Sequence, residues 1–336
     1  MHMDHNLLPA PRASVTSSAV AVSDTLKSAF ASAQRFASMA TADNTQRAYT
    51  ADWADFAQWC QAQHLEALPA RPETVGLYCA ALADTHKPST ITRRLAAIAR
   101  QHRNAGFDSP ASLRHSAVGD VIAGIRRERG TRPDAKRALA TEELRRMVAA
   151  LPASPRGLRD RALLLIGFAG GFRRSELAAI TVEHVEDTPD GLKILIPRSK
   201  TDQEGGGRTI GIPYGSDPTT CPVRAYRAWI AAAGITEGPV FRHFHNCTMG
   251  TKAITGRVVA LTVKKAAERV GLEATELAGH SLRSGLATTA ARNGASERSI
   301  MKQTGHRRVA TVRRTSTTPS CSTATPPASW ACKFSQ

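Results

Sequence analysis

The sequence predicts a mainly α-helical protein with one small β-hairpin, an α+β chain of two domains. Apolar side chains recur at every third or fourth position through most of the chain, as amphipathic helices require. Two short runs, residues 192–197 and 208–213, are instead apolar and β-prone, and the glycine-rich stretch TDQEGGG lies between them. A length of 336 residues is enough for two domains that each bury a core.

The first domain is predicted to be helical throughout, over residues 23–125. Residues 1–22 are rich in Ala, Ser and Pro and lack periodicity, which is typical of a flexible N-terminal arm. Beyond the arm, Trp53, Phe56 and Trp59 are spaced to share one helix face. Helices are expected to begin near residues 23 and 44 and to cover residues 72–83, 88–104 and 116–129. No run in this domain is typical of a strand.

The predicted helix over residues 88–104 carries four arginines that we expect to be exposed. They are Arg93, Arg94, Arg100 and Arg103. A basic helix face can neutralise backbone phosphates, so this helix is a candidate DNA-binding surface. The alternative is an ordinary solvated face that binds nothing.

A charged segment marks the boundary between the domains. Residues 126–136 read RRERGTRPDAK, with Gly, Pro and no large apolar side chain, which is typical of an exposed linker. The second domain is then expected over residues 137–314. Its helices are predicted to start near residue 141, to cover residues 158–168 and, after the hairpin, residues 222–233, 255–270, 281–293 and 297–303.

The charge balance indicates a polyanionic partner. Lys and Arg number 45 against 28 acidic residues, a formal charge of +17, and the pI is near 10.3. Nucleic acid is the first candidate. A membrane surface is the competing polyanion, but no apolar run approaches the roughly 20 residues of a span, and the N-terminus does not resemble a signal peptide. We therefore expect a cytoplasmic protein.

The cysteines do not indicate a metal centre or a disulfide framework. Six are scattered along the chain without a CxxC pair or a Cys/His cluster. We expect reduced thiols, no metal and no cofactor.

Arg173 is the first residue whose position suggests chemistry. In AGGFRRSELAAI, residues 169–180, it follows a glycine-containing turn and precedes a predicted helix start. Free amides and the positive dipole end of a helix favour phosphate there. The guanidinium adds a planar fork that matches two oxygens. By itself, the stretch is equally well explained as a surface helix start with a salt bridge from Glu176.

Other candidate residues lie in three short motifs. His280 and Arg283 are three residues apart in HSLR, His306 follows Gly305, and Lys200 lies in the predicted hairpin. Each motif alone is common at helix ends and surfaces. Together they offer three cations and two imidazoles without a carboxylate cluster for Mg²⁺. Such a set favours phosphoryl transfer in which side chains offset the charge of the transition state.

The order and spacing of these motifs resemble the tyrosine recombinase (phage integrase) family, including its Cre- and Xer-like members. The resemblance rests on GFRRSEL, HSLR and GHRRVATVRR, with a lysine on a hairpin between the first two, and covers about residues 23–314. It implies a helical, SAM-like core-binding domain followed by a tyrosine-recombinase catalytic domain. The two domains would form a C-shaped clamp on DNA.

The resemblance also implies a role for each candidate. Arg173 and Arg283 would clamp the non-bridging oxygens of the scissile phosphate, and His306 would add a hydrogen bond to them. His280 would assist proton transfer and Lys200 would protonate the departing 5′-oxygen. Glu176 would be structural and hold the helix that carries Arg173.

The family's nucleophile is missing from its expected position. The family places a tyrosine nine residues after the second histidine, where it forms a 3′-phosphotyrosyl intermediate, but position 315 is Thr315. The tyrosines of this chain, Tyr49, Tyr78, Tyr214 and Tyr226, all precede His280. A threonine hydroxyl is less acidic than a phenol and too short to replace it. The chain is therefore expected to bind a DNA phosphate without cutting the strand.

The composition changes abruptly after Arg314. Residues 315–336 are rich in Ser, Thr and Pro and contain no acid, which does not favour a helix. A frameshift in the gene or its sequence would explain this: with GC-rich codons, one base added before TSTTPSCS gives Tyr-Ile-Asp-Asp-Ala-Glu-Leu-Phe. The alternative is a genuine, different C-terminus.

The resemblance implies site-specific DNA recombination, with integration or excision of a mobile element, at double-stranded sites where the family assembles as a tetramer. The absent tyrosine favours a cleavage-defective member, a pseudoenzyme. The competing hypothesis is a non-enzymatic DNA-binding protein or regulator derived from a recombinase. A type IB topoisomerase, which shares the chemistry, is a third.

Overall fold

The chain divides into two compact units, with the boundary between residues 133 and 134. A computed structural model of the protein describes residues 24–39, 41–132, 136–197, 199 and 206–316. The predicted N-terminal arm, Lys200 and most of the tail after Arg314 lie outside these residues. No helix in the described ranges is both long and apolar enough to cross a membrane.

The first unit is a bundle of five described helices. They are α1 (Asp24–Met39), α2 (Asp43–Ala62), α3 (Pro72–Leu82), α4 (Pro88–Asn104) and α5 (Ser116–Arg129). Its core is formed mainly by α2 to α5, where Phe56, Tyr78, Ile91, Ile98 and Val118 are almost completely buried. In contrast, Leu26, Phe30 and Phe36 of α1 are exposed. As predicted, the described part of this unit contains helices and no strand.

The predicted exposure of Arg94 is wrong. This arginine is 9% exposed, and its Nη1 contacts both the Asp55 carboxylate and the Tyr78 hydroxyl. Asp52, which is also buried, receives a bidentate pair from Arg93 at 2.7 and 2.8 Å. Arg94 is thus a structural cation that ties α4 to α2 and α3.

Helical periodicity explains why the two neighbouring arginines differ. Ile91, Arg94, Leu95 and Ile98 lie three or four residues apart and form the buried face of α4. Adjacent helix positions differ by about 100° in direction. Arg93 therefore projects beside this face, with nearly half of its side chain exposed.

The second unit contains eight described helices and two small antiparallel sheets. The helices are α6 (Thr141–Ala149), α7 (Pro155–Gly170), α8 (Arg174–Ala178), α9 (Pro222–Ala233), α10 (Gly256–Glu268), α11 (Gly279–Arg292), α12 (Glu297–Thr304) and α13 (Val309–Ser316). The strands are β1 (Val185–Thr188), β2 (Gly191–Ile196), β3 (Arg208–Pro213), β4 (Arg242–His245) and β5 (Thr248–Ala253). The predicted class, mainly α with a small sheet, is confirmed.

The predicted hairpin is the pair β2 and β3, in which Ile194 lies opposite Ile210. Both isoleucines are buried against the helical core, as period-two alternation requires. The sequence analysis missed β1, which pairs with the other edge of β2, and the separate hairpin β4–β5. These strands are short and mostly polar or half-exposed, so they lack an apolar signal.

Helix α7 is the centre of the second core and positions the loop before α8. Its residues Leu163, Leu164 and Leu165 are buried. The helix begins at the Ser154 cap, whose Oγ accepts from the Gly157 amide at 3.2 Å. It ends at Gly171, where φ is +58°, a left-handed conformation that favours glycine. That reversal directs the chain into the next helix.

Two helix ends bear on the predicted domain boundaries. Helix α5 ends at Arg129, as the predicted helix over residues 116–129 does, so the first four residues assigned to the linker are helical. Helix α13 continues through Ser316, two residues beyond the predicted end of the domain. The buried Val312 packs with Ala287 and Ile300, and this tertiary contact outweighs the low helix propensity of Ser and Thr.

The different roles of the α4 arginines lead to a stability prediction. We expect Arg94→Ala to lower the free energy of unfolding by about 2–3 kcal/mol, somewhat less than a fully broken buried ion pair, because Asp55 is half-exposed and Asp52 keeps Arg93. The matched change Arg103→Ala, on an exposed side chain, should stay within about 0.5 kcal/mol. Denaturant titrations of the full chain followed by circular dichroism measure both. Equal losses would contradict a structural role specific to Arg94.

Candidate functional site

The candidate site is a cluster of cationic and imidazole side chains in the second unit. We call it the cationic cluster and define it as Arg173, Arg208, His280, Arg283 and His306. Arg173 comes from the loop before α8, Arg208 from the start of β3, His280 and Arg283 from α11, and His306 from the turn after α12.

Arg173 is held by Glu176, three residues further along the chain. Its amide donates to Glu176 Oε2 at 3.0 Å and its Nη1 donates to Oε1 at 2.5 Å. The helix that follows has only five residues, so its dipole is short. The guanidinium is therefore a stronger source of positive charge than the helix terminus that the sequence analysis emphasised.

Glu176 is the buried carboxylate of this region. It is 4% exposed, and its Oε2 also accepts from Arg208 Nη2 at 3.0 Å. One carboxylate therefore orients two guanidinium groups from different elements. Glu176 thus supports both the loop that carries Arg173 and the first residue of β3.

Arg208 was missed by the sequence analysis. Its Nη1 donates to the Gln303 carbonyl at 2.8 Å, which links β3 to α12. The side chain also lies beside Gly305, where a Cβ would come within 2.9 Å of Arg208 Nε. The only signal in the sequence was an arginine immediately after the glycine-rich stretch, which we interpreted as the first residue of a strand.

Arg283 is buried and anchored by main-chain oxygens. It is 1% exposed, and its Nη1 donates to the Gly171 carbonyl at 2.7 Å and to the Thr304 carbonyl. Its buried Nη2 has no hydrogen-bond partner within the described ranges. Burial, and then the positive charge of Arg173, lower the pKa of Arg283 to about 9. An anion beside Nη2 would relieve both effects.

His280, near the start of α11, is also disfavoured as a cation. Its pKa is lowered by loss of surrounding water and by the charges of Arg283 and Arg173. The residue stays exposed to solvent, so this dehydration is partial. The neutral form, with one nitrogen able to accept a proton, is favoured.

His306 is half-buried and more strongly perturbed. Burial, followed by the positive charges of Arg283 and Arg173, lowers its pKa to about 4. Its Nδ1 lies 2.8 Å from the Thr304 hydroxyl. The turn that places it requires Gly305, whose φ is +67°.

Two predicted site residues lie wholly or partly outside the part of the chain that the structure describes. Lys200 lies outside the described residues. Thr315 lies in the last turn of α13, where the structure describes the helix but not this side chain. The position of the expected nucleophile is therefore helical.

The predicted DNA-binding arginines belong to the first unit and form no single surface. Arg100 donates to Thr41 Oγ1 at 2.9 Å and lies 5.7 Å from the centre of the Tyr49 ring. These residues and the exposed Arg103 line a shallow groove. Arg93 is partly exposed beside Asp52, and Arg94 is buried.

The cationic cluster is suited to binding an oxyanion. Two of its three guanidinium groups, those of Arg173 and Arg208, share the carboxylate of Glu176, and the third, that of Arg283, is buried. Within the described ranges, no three His, Cys, Asp or Glu side chains group as metal ligands. The guanidinium groups of the cationic cluster can supply positive charge to a phosphate and to the transition state of its transfer.

The lowered histidine pKa gives a pH prediction. An unfolded chain takes a proton on His306 near pH 6.5, whereas the folded chain does so near pH 4. Between these values the unfolded state binds more protons, so stability should fall as the pH drops through this window. His306→Asn should reduce the loss of melting temperature between pH 7 and pH 5, and His245→Asn, an exposed control at the end of β4, should not. An unchanged loss in His306→Asn would contradict this assignment.

Comparisons with known proteins agree with the geometry. The model of the phage integrase family matches residues 137–316. The chain is 40% identical over 289 residues to an integrase/recombinase XerD homolog of Selenomonas ruminantium, covering 84% of each chain. It is 27% identical over 272 residues to the tyrosine recombinase XerC of Xanthomonas campestris pv. campestris, covering 80% of this chain and 77% of that one.

Solved structures share the fold. A lambda integrase dimer bound to a COC′ core site matches with a TM-score of 0.59 and 15% identity, over 84% of this chain and 74% of that one. The XerH site-specific recombinase in a post-cleavage complex with difH matches with a TM-score of 0.54 and 16% identity, over 73% and 68%. The family match and the 40% identical relative, together with this fold, show that the chain belongs to the phage integrase family, the tyrosine recombinases.

Proposed function

We propose that this protein binds double-stranded DNA at specific sites and seats one backbone phosphate in the cationic cluster, as a recombinase for site-specific strand exchange would. The observation that carries the proposal is Arg283, a buried guanidinium whose Nη2 lacks a partner in the described ranges. Arg173 and Arg283 would hold the non-bridging oxygens and His306 would contact them. His280 would assist proton transfer, and Lys200 would protonate the departing oxygen.

The relatives support DNA as the partner. Two of the structural neighbours are recombinases bound to DNA sites, and the charge of +17 on this chain favours the same class of ligand. We place the protein in the bacterial cytoplasm, on the nucleoid, and expect copies to associate on DNA. Phosphate contacts from Arg100 and Arg103 of the first unit would add to those of the second.

The chain as written should bind without cleaving. Position 315 is Thr315, and the four tyrosines are held elsewhere. The Tyr78 hydroxyl donates a hydrogen bond to Asp55 at the core of the first unit. Burial raises the pKa of Tyr226 to about 12. Tyr49 and Tyr214 each lie beneath an arginine. Each of these four phenols therefore has contacts outside the cationic cluster, and we expect none of them to replace the missing nucleophile.

A cleavage-defective recombinase and a dedicated DNA-binding regulator make the same prediction for this chain. They differ in what a restored reading frame would do. In a recombinase that lost its tyrosine by frameshift, the catalytic groups remain competent. In a regulator that diverged earlier, other groups needed for cleavage would have changed too.

The first functional prediction concerns the covalent intermediate. On a nicked suicide DNA substrate carrying a proven binding site, the chain as written should form no adduct that survives SDS. The frame-restored chain should form one without added metal, because it supplies both the phenol and the helix that aims it. A frame-restored variant with Phe at position 315 is the control. An adduct with the unmodified chain would refute the missing-nucleophile proposal, and none after frame restoration would favour the regulator.

The second functional prediction concerns the phosphate pocket. In the frame-restored background, Arg173→Ala or Arg283→Ala should lower the rate of adduct formation by at least about a hundredfold, because the transition state carries more charge than the bound phosphate. Arg173→Lys should also fail, since an ammonium lacks the planar fork. In gel shifts these variants should retain much of the DNA affinity of the parent chain. That affinity should fall steeply as the salt concentration rises.

Removing residues 1–130 tests the contribution of the first unit. The truncated protein should bind more weakly and with a shallower salt dependence. Undiminished affinity would place all phosphate contacts in the second unit.

For the phosphate pocket, full cleavage by both Arg173→Ala and Arg283→Ala would mean that the cationic cluster is not the catalytic site.

A further inference from the structure

Thr304, the last residue of α12, connects two members of the cationic cluster. It is completely buried. Its carbonyl accepts a hydrogen bond from Arg283 Nη1, and its hydroxyl lies 2.8 Å from His306 Nδ1. One residue therefore contacts both the buried arginine and the imidazole.

The hydrogen bonds of the Thr304 hydroxyl determine where the proton of His306 lies. Thr304 Oγ1 is 2.5 Å from the Ile300 carbonyl, which can only accept. A hydroxyl has one proton, so the proton of Thr304 is committed to that carbonyl. The contact with His306 then has to be a hydrogen bond from Nδ1–H to Oγ1. A neutral His306 consequently carries its proton on Nδ1 and an unprotonated Nε2.

This arrangement conflicts with phosphate binding unless a proton is added. A phosphate oxygen is an acceptor, and so is an unprotonated Nε2. The two atoms cannot form a hydrogen bond until Nε2 gains a proton. A bond from His306 to the phosphate therefore requires the imidazolium form.

Burial and then the surrounding positive charges disfavour that form of His306 when no anion is bound. Arg283 and His280 lie on α11, Arg173 precedes α8, Arg208 begins β3, and all four lower the pKa of His306. The exposed Arg307 and Arg308 follow it in the chain. All of these groups are cationic or can become so. A bound anion would offset their charge and so raise the pKa of His306, which favours the imidazolium form.

We propose that Thr304 is a positioning residue that keeps the His306 proton on Nδ1, and that His306 takes up one further proton, at Nε2, when an oxyanion enters the cluster. The proton comes from solvent and returns to it when the anion leaves. The phosphate assignment rests on the proposed function, but the proton position does not. Binding at this site is thereby coupled to pH through a single imidazole.

The first test uses the full chain without DNA. Nitrogen-15 NMR of the histidine side chains at pH 7 distinguishes the two neutral forms, and a His306→Asn spectrum assigns the signal. We expect the Nδ1–H form in the unmodified protein and in Thr304→Ser. Thr304→Val keeps the shape of the side chain but not its hydroxyl, so it should lose this preference.

Two outcomes would overturn the positioning role. One is the Nε2–H form in the unmodified protein, a result that needs no variant to fold. The other is an unchanged Nδ1–H preference in folded Thr304→Val. Neither depends on whether the protein cleaves DNA.

The second test uses sulfate, a tetrahedral dianion that does not titrate between pH 4 and 7. The pH titration of His306 is followed by NMR in sodium sulfate and in sodium chloride of the same ionic strength. Sulfate should raise the pKa of His306 by at least one unit, equivalent to tenfold tighter binding by the protonated protein. Arg283→Ala should remove most of this shift. Equal titration in both salts would refute the proton uptake, whereas a failed adduct assay would refute only the recombinase proposal.

Discussion

The geometry of the cationic cluster depends on the Glu176 carboxylate, which holds Arg173 through one oxygen and Arg208 through the other. Bringing guanidinium groups together out of water is costly, and a single shared acid offsets part of that cost. It does so without cancelling the excess of positive charge. Burial, followed by this remaining positive charge, lowers the pKa values of Arg283 and His306. A second buried acid would stabilise the protein in the absence of an anion, but it would lower the affinity of the cationic cluster for one.

The same constraint explains the division of labour between the two units. In the first, Asp52 and Asp55 neutralise Arg93 and Arg94, and the result is a stable bundle. In the cationic cluster of the second unit, one acid, Glu176, accompanies three arginines, and the result is a site that can take an anion. Burial of arginine is common to both, so burial alone does not indicate function. The number of acids within hydrogen-bond distance separates a structural cation from one that is ready for a ligand.

Much of the fold and of the site could be predicted because the determining signals are local. Helices α4 and α9 follow from periodicity, and Arg173, Arg283 and His306 follow from motifs at turns and helix starts. Arg208 could not be found this way, since its role depends on which carbonyl of α12 lies over a strand 95 residues earlier. Arg94 was misjudged although its periodicity placed it among Ile91, Leu95 and Ile98, because charge was given more weight than position. Strands β1 and β4 carry too little apolar pattern to be recognised.

Arg283 has a property that side-chain pairing alone would not provide. The hydrogen-bond partners of its Nη1 are the carbonyl oxygens of Gly171 and Thr304, which every amino acid possesses. Substituting either partner residue cannot delete the acceptor, so no compensating pair of residues is expected to co-vary with this arginine in an alignment of relatives. The orientation of Arg283 is instead sensitive to the path of the backbone. Insertions or deletions beside the two left-handed glycines, Gly171 and Gly305, are the changes that evolution or an engineer would have to make to release it.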